Sequence, residues 1–197
     1  TLVSFDDGHI SNYELAFPLL KSSHAGADFF VNSDNVGRAG YCSWQQLREM
    51  ADAGMSIQSH SHEHKYLTSY DAATLRSVLT RSRQLIEDAI GQPVTLLAPP
   101  GGRMPANLAA VALECGYQHV LSSRPGLVKS AAAVVLPRMA VTSRLDRATL
   151  QAWLRGDTMT FAKARLRYAA LAGLKRLLGN DGYERMRRQA VGAGGDY

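Results

Sequence analysis

Ser4-Phe5-Asp6-Asp7-Gly8 follows the apolar start Leu2-Val3, and Ser59-His60-Ser61-His62-Glu63-His64 follows Met55-Ser56-Ile57. In each stretch an apolar run stops and a cluster of ligand-type side chains begins. Sites at the C-terminal ends of parallel strands have this form. One carboxylate and two imidazoles can hold a divalent ion and leave a coordination position open. A second carboxylate beside the ligand set can take the proton from an attacking water. Metal-assisted hydrolysis is the chemistry these residue types favour.

Outward from these stretches, short apolar runs alternate with longer helix-period segments. Strands are expected at 2–3, 27–31, 55–57, 94–97, 117–121 and 134–136. A helix is expected over 11–23, with Pro18 kinking it or marking a start. Ser43 is a good N-cap for 44–53, and Gly54 ends that helix. Asp71 caps a long helix whose apolar positions are Leu75, Val78, Leu79, Leu85, Ile86, Ala89 and Ile90, with Gly91 as its stop. Helices over 105–115, closed by Gly116, and over 147–154, capped by Asp146, complete the pattern. This β/α alternation predicts the α/β class, with a parallel sheet or barrel.

The 197 residues, 46% of them hydrophobic, suffice for one well-buried core. No apolar run is long enough to span a bilayer. Cys42 and Cys115 are too few for a disulfide framework and read as small buried hydrophobes. The net charge of +5 is uneven: 158–189 holds eight basic and two acidic residues, which leaves the body close to neutral. Nucleic acid binding is not expected, because the body is near neutral and no recognition motif is present. In the basic tail Phe161, Ala164, Tyr168, Leu171, Leu174 and Leu178 share one helical face, and a second basic helix is expected over 183–190. Packing of that face on the body ranks first. Peripheral contact with an anionic membrane ranks second, and an anionic polymer third.

Taken singly, each motif has a plainer reading. Asp6-Asp7-Gly8 is also ordinary turn chemistry. His60 and His64 fall on one side of a helix or tight turn, as zinc sites require, but His60 and His62 would pair in an extended segment. The His60/His64 pairing is preferred.

Taken together they carry a resemblance. Ser4-Phe5-Asp6-Asp7-Gly8 resembles the first motif of the polysaccharide deacetylases, the family-4 carbohydrate esterases with the NodB homology domain. His60-Ser61-His62-Glu63-His64 resembles their His-Ser/Thr-x-x-His motif. Ala98-Pro99-Pro100-Gly101-Gly102 resembles the third, proline-rich motif, and Gly116-Tyr117 the Gly-Tyr that opens a late strand. The resemblance covers roughly residues 1–155. It implies a distorted (β/α) barrel of the NodB type over 1–157, followed by a basic helical extension over 158–197. It implies one divalent ion, zinc by preference and cobalt or nickel as alternatives, on Asp7, His60 and His64. Asp6 is then the catalytic base, in hydrolysis of N-acetyl groups on an amino-sugar polysaccharide of the N-acetylglucosamine type. Pro100, Gly101, Arg103 and Arg138 are the expected substrate contacts. An extracytoplasmic or cell-envelope location is implied as well.

Two departures from the family pattern stand out. Many members carry an arginine before the paired prolines, where this chain has Ala98. Deacetylases of poly-N-acetylglucosamine exopolysaccharides also lack it, so the chain leans towards that branch, with Arg103 as a nearby substitute. The late Leu-x-His motif, whose histidine is a general acid, reads Val135-Leu136-Pro137-Arg138-Met139. The leaving amine is then protonated by Asp6 or by water, and a missing acid costs on the order of 10²–10⁴-fold. His9 lies beside the Asp pair, and His119 reads as a packed strand residue. Two rivals stay open: N-deacylation of a lipid-linked or small amide, and carbohydrate binding without turnover.

Overall fold

The structure, a computed structural model, describes residues 1–173 and Gly182. It divides into two compact units: Thr1–Ser123 with Val128–Pro137, and Arg124–Leu127 with the chain from Arg138 on.

The first unit is a sheet of six parallel strands in chain order, curled into a half-barrel. The strands are β1 (Val3–Phe5), β2 (Ala27–Val31), β3 (Ser56–Ser59), β4 (Leu96–Leu97), β5 (His119–Leu121) and β6 (Val135–Leu136). Four helices of this unit connect them: α1 (Phe17–Ser22), α2 (Trp44–Asp52), α3 (Ala72–Ile90) and α4 (Leu108–Glu114). This is the α/β architecture expected from the alternation, and it brings the ends of β1 and β3 to either side of β2.

All five residues of β2 are buried, as a strand covered on both faces must be. Ala27, Phe29 and Val31 enter the main core with Leu47, Met50, Leu75, Leu79, Ile86, Leu97, Leu108 and Val120. On the other face Phe30 packs with Ala98 and Leu121. The long helix α3 carries the predicted cap, with the Asp71 carboxylate accepting from the Thr74 N–H at 2.7 Å. Its buried stripe is Leu75, Leu79, Ser82, Ile86 and Ile90, whereas the expected Leu85 stays about one-third exposed, at 37%. Ser43 and Gln46 form a reciprocal capping box at the start of α2. Both cysteines are free thiols.

Several segment boundaries differ from the sequence expectation. The 11–23 helix begins as a π turn, Asn12–Ala16, before the α-helical Phe17–Ser22. Pro18 has no N–H to donate, so the preceding ladder cannot run through it unaltered, and the Phe17 N–H reaches back to the Asn12 carbonyl. The 105–115 helix starts late, at Leu108, because Pro105 closes a tight turn in which its carbonyl accepts from the Leu108 N–H at 3.0 Å. The third strand runs two residues beyond 55–57, to Ser59.

The second unit holds α5 (Arg147–Leu154), capped by Asp146 as predicted, and a helix over 158–173. On that helix Phe161 is buried and Ala164 and Tyr168 are half-buried, while Lys163, Arg165 and Arg167 are exposed. Leu174, Leu178 and the expected helix over 183–190 lie outside the described residues.

Candidate metal centre and active site

β1 ends at Phe5, and the next residues leave the sheet through a left-handed turn. Asp7 has φ +73° and Gly8 φ +70°. Aspartate is among the few side chains that enter this region readily. Gly8 is buried, and a Cβ there would lie 3.0 Å from Val31 Cγ1, so the turn is pressed against the end of β2. The turn breaks the strand's alternation and places the Asp7 carboxylate at the mouth of the sheet.

β3 ends at Ser59. The His60 N–H still donates to the Val31 carbonyl at 2.8 Å, which carries the parallel ladder one residue further. The loop then turns at Ser61, φ +71°. His60 is buried and His64 half-exposed, with ring centroids 5.6 Å apart. Asp7 Oδ1 lies 3.2 Å from Nε2 of His60 and 3.2 Å from Nε2 of His64. The three ligand atoms fall within 4.8 Å of one another, the one such His/Cys/Asp/Glu group among the described residues. His62 is not part of it: its Nδ1 lies 2.8 Å from Ser33 Oγ, and both side chains are buried. Of the two pairings, His60/His64 is the one that converges on Asp7, brought together by a bend rather than a helix.

The electrostatics follow from this geometry. The hydrogen bonds from His60 and His64 hold the Asp7 carboxyl well below the usual carboxylate range, against the opposing effect of burial. The Asp7 carboxylate raises His64, and the negative charge of the neighbouring Asp6 adds to that effect. Burial pushes His62 down, which favours its neutral form. One ionised carboxylate and two imidazole nitrogens are a donor set suited to zinc and its neighbours in the first transition row.

The third motif lies at the end of β4. Ala98 is packed against Phe30 and Leu121, and its N–H donates to the Ser59 carbonyl at 3.0 Å. Pro100 is buried, and Gly101 turns the chain at φ +62°. A Cβ on Gly101 would meet Tyr66 Cε1 at 2.5 Å. The Arg103 guanidinium covers the Tyr66 ring at 4.0 Å from its centroid, so Tyr66 is held between the two motifs. Gly101→Ala is expected to lower unfolding stability by about 1–3 kcal/mol, through the left-handed backbone and displacement of Tyr66. Urea denaturation measures this.

The remaining sequence candidates separate clearly. His119 Nδ1 is paired with the Ala133 carbonyl at 3.0 Å, a structural contact. His9 is exposed, with Nδ1 2.9 Å from Ser11 Oγ and its ring edge-on to Tyr41. Arg138 belongs to the second unit, where its N–H donates to the Arg124 carbonyl. Sequence reasoning passed over Asn32, Ser33 and Tyr66. The signal for the first two was present: 27–31 is an apolar run that stops at a polar cluster, the same pattern that marked the other two strands.

A family model described as "Polysaccharide deacetylase" matches residues 1–120, more than half of the chain. The chain belongs to the polysaccharide deacetylase family. This is a family of hydrolases, and the Asp7–His60–His64 group fits its metal site. Among relatives, the chain is 31% identical over 122 residues to the peptidoglycan-N-acetylglucosamine deacetylase of Bacillus cereus, covering 61% of this chain and 55% of that protein. The chain spans about half the length of the curated relatives it matches. Among solved structures, deacetylase PplD of Streptococcus pyogenes, in complex with acetate, superposes with a TM-score of 0.72 at 24% identity, over 76% of this chain and 68% of that one. IcaB from Ammonifex degensii gives 0.67 at 24% identity, over 83% and 72%. These two structures speak for the family fold.

Proposed function

We propose that this chain is a metal-dependent N-deacetylase of an amino-sugar polysaccharide of the N-acetylglucosamine type. The observation that carries the reading is the convergence of Asp7 Oδ1 with two imidazole Nε2 atoms at the ends of β1 and β3, with Asp6 beside them. The name of the Bacillus cereus relative supports an N-acetylglucosamine-containing envelope polymer as substrate, and with it an envelope location. Ala98, in place of an arginine, supports the exopolysaccharide branch.

Asp7, His60 and His64 would hold one divalent ion, zinc by preference, with cobalt or nickel able to replace it. Such an ion would supply Lewis-acid polarisation of the acetamide carbonyl and acidify a water. The chain's own residues do the rest. Asp6 takes the proton of the attacking water. Asp7 is kept ionised by its imidazole partners, and His60 is fixed by burial. In the absence of the Leu-x-His histidine, Asp6 returns its proton to the leaving amine, so one carboxylate serves as base and then acid. Pro100, Gly101, Arg103 and Arg138 are proposed, on the sequence pattern, as polymer contacts. The basic face of 158–173 is proposed as a peripheral contact with anionic membrane. No helix among the described residues is long and apolar enough to cross a membrane.

The test combines metal content and acetate release on purified protein, with an N-acetylglucosamine oligomer and added zinc or cobalt. About one ion per chain and metal-dependent acetate release are expected. Metal without acetate would favour the rival readings, a lipid-linked or small amide substrate or binding without turnover. No bound metal would refute the site.

A further inference from the structure

The two histidine ligands lie on a loop that leaves β3 and must return to Asp7 at the end of β1. β2 runs between those strands, and its end grips this loop on both sides of Ser61. The Asn32 side-chain amide donates to the His60 carbonyl at 2.5 Å. Ser33 Oγ pairs with His62 Nδ1 at 2.8 Å, and the Asp34 N–H donates to the His62 carbonyl at 3.0 Å. Asn32, Ser33 and His62 are 0%, 6% and 8% exposed, so these are not surface contacts shared with solvent. From the other side, the Ser61 N–H donates to Ser59 Oγ at 3.1 Å, and Ser59 Oγ is in turn paired with Ser82 Oγ.

The loop needs such restraint. A serine in the left-handed region is strained, and surrounding contacts must hold it there. Yet the bond between Ser33 and His62 belongs to no strand ladder, and neither residue is in the ligand set. What it does is fix the path of the chain midway between His60 and His64.

We propose that Ser33 and His62, with Asn32, form a clasp that presets the separation of the two histidine ligands and thereby sets metal affinity. The proposal rests on the metal-site reading of Asp7, His60 and His64. The three clasp residues are positioning residues. They act through the ligands, as hydrogen-bonding partners behind metal sites commonly do, where their removal costs about 10–100-fold in affinity.

The experiment is zinc affinity by competition with a chromophoric chelator, on the full chain, beside thermal unfolding of the metal-free protein. The variants are Ser33→Ala, His62→Gln and His62→Asn. An asparagine amide reaches the position of histidine Nδ1, whereas a glutamine amide reaches that of Nε2, so only His62→Asn keeps the bond to Ser33. Ser33→Ala and His62→Gln are expected to weaken zinc by about 10–100-fold, and His62→Asn to restore it to within roughly threefold. Metal-free unfolding midpoints should fall only modestly, as loss of one buried hydrogen bond entails, and alike in Ser33→Ala and His62→Gln. Unchanged affinity in Ser33→Ala and His62→Gln, or His62→Asn as weak as His62→Gln, would overturn the clasp. So would an affinity loss matched by an equal fall in metal-free stability, which is the mark of a folding role. If the unsubstituted chain binds no zinc, the metal-site reading fails and the clasp falls with it.

Discussion

Asp6→Asn is expected to keep bound metal and to lose acetate release by about 10²–10⁴-fold. The two aspartates are adjacent, but the structure gives them different places. Asp7 accepts hydrogen bonds from both imidazoles, whereas Asp6 bears on the centre through its charge. Asparagine preserves the size of the side chain at position 6 and removes its ability to take a proton. The substitution therefore separates base from ligand. Metal content and acetate should be measured on the same samples. Full activity in Asp6→Asn would refute the base assignment, and loss of metal would make Asp6 a ligand instead. Because the chain has no Leu-x-His histidine, the same variant also removes the proposed proton donor to the amine. Its loss is expected towards the upper end of that range.

The fold was legible wherever local chemistry is strong. The caps Ser43, Asp71 and Asp146 each hold the helix predicted from them, because a side-chain acceptor at a helix start satisfies the same N–H in any context. The β/α alternation gave parallel strands in chain order. Boundaries were less legible where pairing decides them. β3 extends to Ser59 because Val31 and its neighbours on β2 offer partners that far, and β4 shrinks to Leu96–Leu97 before the paired prolines. Pro18 signalled a disturbance, but not that the chain would widen into a π turn before it.

The site was legible in its ligand types and less so in its support. Spacing alone left His60/His62 and His60/His64 both open. In the structure His60 and His64 converge on Asp7, while His62 is paired with Ser33, 29 positions away in sequence. No local periodicity reveals such a pair. The same holds for Tyr66, whose place depends on Gly101 and Arg103 from beyond β4. Position 98, where many family members carry an arginine, is buried here against Phe30 and Leu121.

His64→Ala is expected to release the metal while leaving the fold in place. Removing one of three protein ligands should weaken zinc on the order of 10³-fold, given that tight sites draw 10–16 kcal/mol from four. His64 is 48% exposed, so its truncation opens no cavity. His60→Ala makes the contrast. That ring is 2% exposed, and its loss leaves a buried void. It should therefore cost both metal and stability. Measured together, zinc affinity and metal-free unfolding place the two histidines differently: position 64 moves the first alone, and position 60 moves both. A His64→Ala chain that retained zinc at full affinity would remove this residue from the ligand set. His62, two residues closer to His60 than an i, i+4 pairing would place it, would then have to leave Ser33 to replace it, and Ser33→Ala would be expected to strengthen zinc binding rather than weaken it.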